Sequence, residues 1–202
     1  MKKILIATKN QGKVEDFKTI FKEYKIDVIS LLDLEEPIDD IEETGESFAE
    51  NAILKAETIA KKLNIPVLAD DSGLSIDQLD GRPGVYSARY SGMERNDRKN
   101  YMKVLRELEG VADEDRTAQF TCALALVIPG KDPIVKYGTC NGHIINQPIG
   151  ENGFGYDPVF MPTGFDRTMA QLSIEEKNKI SHRGRAIKEL AKWLETHKEV
   201  YF

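Results

Sequence analysis

The amino-acid sequence predicts an α/β fold with a mixed β-sheet, and two patterns point to it. The first 70 residues alternate in the order strand, helix, strand, helix, strand, which is typical of a sheet covered by helices. Farther along, apolar residues occupy every second position from Phe120 to Ile128, and a turn leads into a strand at Ile134–Cys140. This alternation indicates antiparallel pairing. Because the chain has no repeat, linker or low-complexity segment, we expect one domain over residues 1–202.

Three strands are predicted in the first part of the chain. They cover residues 2–7, 26–31 and 66–69, which are apolar runs bounded by polar residues. The third is expected to end at an acidic turn, Asp70–Gly73. Because the carboxyl ends of strands in an open parallel sheet border the ligand crevice, this turn is predicted to lie beside the turn that follows the first strand.

Helices are predicted from apolar residues at helical spacing and from their capping residues. Two cover residues 11–24 and 96–108, and two follow the capping boxes Ser47–Glu50 and Ser173–Glu176. The last helix of the chain is expected to bury Ile187, Leu190, Ala191 and Leu194, and the helix after Ser47 carries one apolar stripe: Ala49, Ala52, Ile53, Ala56, Ala60 and Leu63.

Composition and charge exclude several classes of protein. The net charge of -6 argues against binding of polymeric nucleic acid or of an anionic membrane. No window approaches the roughly 18 consecutive apolar residues of a membrane helix, and the start of the chain runs directly into a strand pattern, so a cytoplasmic protein is expected. Cys122 and Cys140 are expected to be buried thiols, and three scattered histidines do not suggest a transition-metal site.

The turn Thr8–Lys9–Asn10–Gln11–Gly12–Lys13 lies between the first strand and the first helix. A helix start presents backbone N–H groups and a positive dipole end, and two lysines add to this field, so a phosphate is the natural ligand. The turn is not a Walker A loop, because Ala7 replaces its first glycine and Val14 replaces the hydroxyl residue that holds magnesium. Taken alone, an ordinary polar turn is equally consistent with the sequence.

Four carboxylates form the second candidate site: Glu42, Glu43, Asp70 and Asp71. Magnesium is commonly held by one or two carboxylates together with phosphate oxygens and water. The alternative is a solvent-facing acidic loop and turn. For Glu42 and Glu43 alone we favour that alternative, whereas for Asp71 the neighbouring phosphate-type turn favours a functional role.

Two further groups of residues have binding potential. Gly153–Pro158 places aromatic residues between glycines, where an aromatic face can stack on a base. Core or turn packing is the simpler explanation, and for this pattern alone we prefer it. Lys177, Ser181, His182 and Arg183 cluster near the start of the last helix. Cations are disfavoured at a helix start, so these donors indicate either an anionic or carbonyl ligand or a set of solvated side chains.

A series of motifs, taken in order, extends over nearly the whole chain. The residues are Thr8, Asn10 and Lys13, Glu42–Phe48, Asn51, Ala52, Lys55 and Ala56, Ala69–Leu74, Pro83–Arg89, Gly153–Pro158 and Ser181–Gly184. Together they resemble the inosine triphosphate pyrophosphatase family, the house-cleaning dITP/XTP pyrophosphatases. The resemblance implies an elongated mixed α/β fold with two lobes and a central cleft, usually dimeric, and hydrolysis of ITP, dITP or XTP to the monophosphate and pyrophosphate with Mg²⁺.

The resemblance also implies roles for individual residues. Thr8–Lys13 would bind the phosphates, Lys55 would neutralise their charge, and Glu42 and Asp71 would hold the metal, with Asp71 also the general base. Whether Glu42 or Glu43 is the ligand stays open, as does the role of Asp70. The nucleoside would be bound by Ser72, Phe154, Gly155, Tyr156, Asp157, Lys177, His182 and Arg183.

The chemistry of the base suggests how selectivity arises. Deamination replaces the amino donor at the 6-position of adenine with a carbonyl acceptor, so donors aimed there favour inosine. We hypothesise that Arg183, with Lys177 or His182, supplies these donors while Phe154 stacks on the ring. Two alternatives remain: a pyrophosphatase of the same fold acting on pyrimidine nucleotides, and a module that binds nucleotides without hydrolysing them.

Overall fold

The structure is a computed structural model that describes residues 3–197. Within that range the helices are α1 (Gln11–Glu23), α2 (Phe48–Leu63), α3 (Asp97–Glu107), α4 (Ile174–Ile180) and α5 (His182–Thr196). The strands are β1 (Lys3–Ile6), β2 (Asp27–Ser30), β3 (Val67–Ile76), β4 (Thr117–Val127), β5 (Ile134–Ile144) and β6 (Phe160–Pro162). Lys2, which belongs to the first predicted strand, lies outside the described residues.

The strands form one sheet in the order β2-β1-β3-β4-β5-β6. β1 pairs in parallel with β2, with Lys3 opposite Asp27, and with β3, with Leu5 opposite Val67. β5 and β6 are antiparallel. The prediction of an α/β fold with a mixed sheet is therefore confirmed, and so is the pairing of β4 with β5.

The chain divides into two compact units, which are described separately. The first unit contains the described residues up to 71, residues 122–138 and the described residues from 183 onward. The second unit contains residues 72–121 and 139–182. The prediction of a single domain stays a prediction.

In the first unit the sheet is buried on both faces. Along β1, Ile4 and Ile6 pack into a cluster with residues of α1 and α5. Leu5 of β1, and Ala7 just after it, pack into a cluster with residues of α2. β4 follows the same alternation. Its predicted apolar face, Cys122, Leu124 and Leu126, joins the first cluster, and its other face joins the second through Ala123, Ala125 and Val127. Helices thus cover both faces of these strands, as expected for strands read as apolar runs.

The second unit has its own apolar core. Val104 and Leu108 of α3 pack in it together with Phe120 of β4. The other buried members are Leu74, Ile76, Leu79, Ala118, Cys140, Ile144, Tyr156, Val159, Phe160, Met169 and Leu172.

Several local predictions differ from the structure. The third strand does not end at an acidic turn, because β3 continues through Asp70 and Asp71 to Ile76. The first capping box is incomplete: Ser47 accepts from the Glu50 N–H, but the Glu50 carboxylate accepts from the Glu46 N–H instead. The second capping box is complete. β6 was not predicted, since it is only three residues long.

The described part of the chain contains no helix that is both long enough and apolar enough to span a bilayer.

Candidate functional site

The turn after β1 is a capped helix start. Ala7 donates its backbone N–H to the Leu68 carbonyl of β3 over 2.8 Å, so the chain leaves the sheet only after this residue. The Thr8 hydroxyl, largely buried, accepts from the Asn10 N–H at 3.2 Å. The Asn10 side chain in turn accepts from the Lys13 N–H at 3.0 Å and caps α1. The predicted strand–turn–helix arrangement is confirmed.

The two lysines of this turn contact different carboxylates. The Lys13 ammonium lies 2.9 Å from Oδ2 of Asp70. Lys9 instead pairs with Asp40 at 2.7 Å, and both of these side chains are exposed. The structure therefore brings Lys13, and not Lys9, to the acidic pair on β3.

Asp70 is a buried carboxylate surrounded by cations. Its side chain is 1% exposed, and Oδ2 accepts from Lys13 and, at 3.2 Å, from Arg183. Burial alone would raise the pKa of this carboxyl, but Lys13, Arg183 and Lys55 outweigh it and hold the pKa well below its usual range. Asp70 is consequently ionised throughout the neutral range.

Asp71 has the opposite electrostatic balance. It is 6% exposed, and burial raises its pKa above the usual range even though Lys55 and Lys13 oppose that change. The Asn51 amide donates to Oδ2 at 3.0 Å, and the Lys55 ammonium lies 3.9 Å from Oδ1. Two adjacent carboxylates therefore have pKa values displaced in opposite directions, which is a frequent feature of acid–base sites.

Lys55 connects the acidic loop to β3. Its ammonium donates to Oε1 of Glu43 at 2.7 Å and to the backbone carbonyl of Asp70 at 2.5 Å. Burial would lower its pKa, but the charges of Asp71, Asp70 and Glu43 raise it, so the side chain stays protonated. Glu43 is partly buried here, whereas Glu42 is exposed. The structure thus brings Glu43 to Lys55.

Asn51 links the same loop to Asp71. Besides donating to Asp71, its side-chain carbonyl accepts from the Gly45 N–H at 2.7 Å. Gly45 is needed for this approach, because a Cβ at this position would lie 2.7 Å from that carbonyl oxygen and from Cβ of Glu50. Asn51 belongs to the motif series of the resemblance, which gives it no role, and it is a polar residue on the buried face of α2.

Within residues 3–197, no group of three or more His, Cys, Asp or Glu residues is arranged to hold a metal ion alone.

In the second unit, the glycine-framed turn is held by a buried ion pair. The Lys177 ammonium lies 2.7 Å from Oδ2 of Asp157, and the same oxygen accepts from the Phe154 N–H at 3.0 Å. Lys177 also lies 4.5 Å from the centre of the Phe154 ring, a cation–π arrangement. Gly153 has a φ of 77°, and a Cβ there would collide with the Asp157 carboxylate.

Two other contacts hold this turn in place. The Gly155 N–H donates to Oδ2 of Asp97, at the start of α3, over 2.7 Å. Tyr156 is buried, and its hydroxyl donates to the Ser87 carbonyl at 2.7 Å. Tyr156 therefore belongs to the core of the second unit, while Phe154 remains partly exposed. The sequence alone does not point to Asp97.

The donors near the last helix are buried, so the interpretation as solvated side chains is wrong. Lys177, His182 and Arg183 are each at most 6% exposed. The His182 ring stacks on Phe120 of the second unit at 4.7 Å, and Ser72 is partly buried. Arg183, in the first unit, donates to Asp16 at 2.8 Å in addition to Asp70.

The mixed sheet and this set of carboxylates and lysines define a known class of protein: the chain belongs to the Ham1 family, whose model matches residues 4–193. Several similar curated proteins bear the name dITP/XTP pyrophosphatase. The Oceanobacillus iheyensis protein is 56% identical over 196 residues, which cover 97% of this chain and 100% of the relative. The Bacillus subtilis protein is 54% identical over 195 residues, which cover 96% and 98%. The resemblance predicted from the sequence is confirmed.

Two solved structures have the same fold. The Ham1 protein of Staphylococcus aureus is 49% identical with a TM-score of 0.85, and the match covers 97% of this chain and all of that one. A HAM1 protein from Coxiella burnetii is 41% identical with a TM-score of 0.86 and the same coverage.

Proposed function

We propose that this protein is a dITP/XTP pyrophosphatase, which hydrolyses non-canonical purine nucleoside triphosphates to the monophosphate and pyrophosphate and so removes deaminated purines from the nucleotide pool. Besides the family, one observation carries this proposal. Asp71, a buried carboxylate with a raised pKa, shares a site with Lys55 at 3.9 Å, and Lys55 and Lys13 both bind the adjacent Asp70.

In the proposed reaction, Asp71 is the general base. It accepts a proton from the water whose oxygen bonds to the α-phosphorus, while the bond from that phosphorus to the α–β bridging oxygen breaks and pyrophosphate leaves. A raised pKa makes Asp71 a better proton acceptor near neutral pH. The bond from Asn51 holds its carboxylate in one orientation.

Lys13 and Lys55 are the proposed phosphate ligands. An ammonium that contacts a transferring phosphoryl group stabilises its negative charge in both bound state and transition state. Lys55 is only 12% exposed and Lys13 18%, so their charges act where water screens them little. Thr8, Asn10, Gln11 and Gly12 would contribute the capped helix start, and Lys9 would add a more distant positive charge.

The carboxylates of this unit suit Mg²⁺, a hard cation that takes one or two carboxylates plus substrate phosphates and water. Asp71 would hold it with Glu42 or Glu43. The contact between Glu43 and Lys55 favours Glu43, because Lys55 also lies beside Asp71. When bound, the metal neutralises negative charge on the phosphate oxygens.

For the nucleoside, the family resemblance points to residues of the second unit. Phe154 is partly exposed and is the proposed stacking residue, while Gly155, Tyr156 and Asp157 shape the turn that carries it. Ser72, Lys177 and His182 are the other proposed contacts. A homodimer, which the resemblance implies, and the cytoplasmic location expected from the sequence complete the proposal.

The proposal is tested with a substrate panel. Initial rates are measured for dITP, XTP, ITP, ATP and dTTP with Mg²⁺, and the phosphorus products are identified by NMR. The expected result is preferential turnover of dITP, XTP and ITP with release of pyrophosphate. A preference for dTTP would support the pyrimidine alternative, and tight binding of intact ITP would indicate a sensor instead of an enzyme.

A further inference from the structure

A row of four charged side chains extends from the interior of the first unit toward the proposed phosphate site. We call Asp16, Arg183, Asp70 and Lys13 the charge ladder. The bonds along it are 2.8 Å from Arg183 to Asp16, 3.2 Å from Arg183 to Asp70 and 2.9 Å from Lys13 to Asp70. Three of its members are at most 4% exposed, and Lys13 alone reaches solvent appreciably.

A ladder of this kind is a poor device for stability alone. Charges removed from water lose their hydration, and replacing a buried ion pair with apolar residues often leaves a protein equally or more stable. The bonds along the ladder instead favour a role in geometry, because they lead to Lys13. A lysine side chain is long and flexible, so a fixed carboxylate partner restricts where its ammonium lies.

Asp70 organises both lysines of the proposed phosphate site. Its carboxylate binds Lys13, and its backbone carbonyl accepts from Lys55 at 2.5 Å. The position of Asp70 in turn depends on Arg183, whose two terminal nitrogens bind two different carboxylates. A planar guanidinium bound at both ends cannot rotate freely.

Asp16 is the residue that completes this arrangement. It lies on the same turn of α1 as Lys13, three residues apart, so α1 supplies both ends of the ladder. Arg183 shares Oδ2 of Asp70 with Lys13. Without the Asp16 carboxylate, Arg183 would have one anionic partner of the ladder instead of two, and its guanidinium would be less firmly placed beside that oxygen.

We infer that Asp16 and Arg183 are positioning residues, which hold Asp70 and through it set the places of Lys13 and Lys55. The inference rests on the proposed function. It gives Arg183 a role in the phosphate part of the site, whereas the sequence hypothesis assigned its donors to the base. It also gives a role to Asp16, which sequence analysis did not single out.

The test uses Asp16→Asn, which keeps the shape of the side chain and removes its charge. Displacement of Lys13 should weaken phosphate binding in the ground state and transition state alike, so KM for dITP should rise about tenfold with kcat within about twofold of the unaltered enzyme. Inorganic triphosphate, used as a competitive inhibitor, should lose affinity by the same factor. Arg183→Lys should behave similarly, because one ammonium cannot span both carboxylates.

Glu15→Gln is the matched control, since Glu15 is exposed on the same helix, and it should leave both constants unchanged. Near-UV circular dichroism verifies that each variant is folded. An unchanged KM in folded Asp16→Asn would overturn the inference and leave the proposed function intact. Loss of folded protein in both ladder variants would assign the ladder to stability and also overturn it. If the unaltered protein does not hydrolyse dITP, the proposed function fails and the inference with it.

Discussion

Replacing Asp71 with Asn separates the chemistry of the site from its structure. The substitution keeps the shape of the side chain and an oxygen that can accept the hydrogen bond from Asn51, but it removes the base and one negative charge. Loss of a positioned general base reduces kcat by about 10²- to 10⁴-fold, which corresponds to about 3 to 5 kcal/mol in the activation barrier. The KM for dITP should change much less.

The same variant should be at least as stable as the unaltered protein at neutral pH. Burial raises the pKa of Asp71 in the folded state, so the folded protein binds a proton at this residue more tightly than the unfolded chain does. Protonation of Asp71 therefore stabilises the fold at low pH, and this contribution is lost as the pH rises through the folded-state pKa. Asn cannot ionise, so the Tm of Asp71→Asn relative to the unaltered protein should increase from pH 4 to about pH 7.

Pyrophosphate release is followed in a coupled assay at saturating dITP, and Tm is followed by calorimetry across the same pH range. Glu57→Gln, an exposed carboxylate on α2, is the control for loss of a negative charge. Near-normal kcat in Asp71→Asn would refute the assignment of the base. A fall in Tm parallel to the fall in kcat would mean that Asp71 maintains the fold instead.

Three further predictions concern the second unit and the cysteines. Asp157→Ala leaves Lys177 buried without its carboxylate partner, so the free energy of unfolding in urea should fall by about 3 to 5 kcal/mol. Asp166→Ala, at an exposed position, is the control. A decrease in unfolding free energy no larger than in that control would contradict the prediction. Asp97→Ala removes the acceptor of the Gly155 N–H, and KM for dITP should rise about fivefold, or roughly 1 kcal/mol, with kcat preserved; an unchanged KM would show that this bond does not position Phe154. Burial raises the pKa of Cys122 to about 12, and Cys140 is also buried. A thiol reagent at pH 8 should therefore label neither cysteine until the protein is unfolded. Rapid labelling of the native protein would contradict the burial of these thiols.

The helices and most strands could be predicted because their signals are local. The stripe on α2 and the alternation in β4 place apolar residues at the spacing of the element, and these same residues form the cores. The end of β3 could not be predicted in this way. Two consecutive aspartates resemble a solvent-exposed turn, yet Asp70 is buried because Lys13 and Arg183 neutralise it, and Arg183 is 113 residues away.

The same distinction between local signals and long-range contacts applies to the candidate site. Asp71, Lys55 and Lys13 follow from motifs, and the structure brings them together in one unit. The contacts that orient them are long-range: Asn51 to Asp71 spans 20 positions and Arg183 to Asp16 spans 167. No local pattern encodes such partners, so the bonding of Arg183 could only be found from the fold.

The most direct test of the central claim is an isotope tracer experiment. The protein hydrolyses dITP with Mg²⁺ in water enriched in oxygen-18, and phosphorus NMR locates the label. If Asp71 activates water for attack at the α-phosphorus, one labelled oxygen appears in the monophosphate and none in pyrophosphate. Label in pyrophosphate, or release of orthophosphate as the first product, would contradict this account.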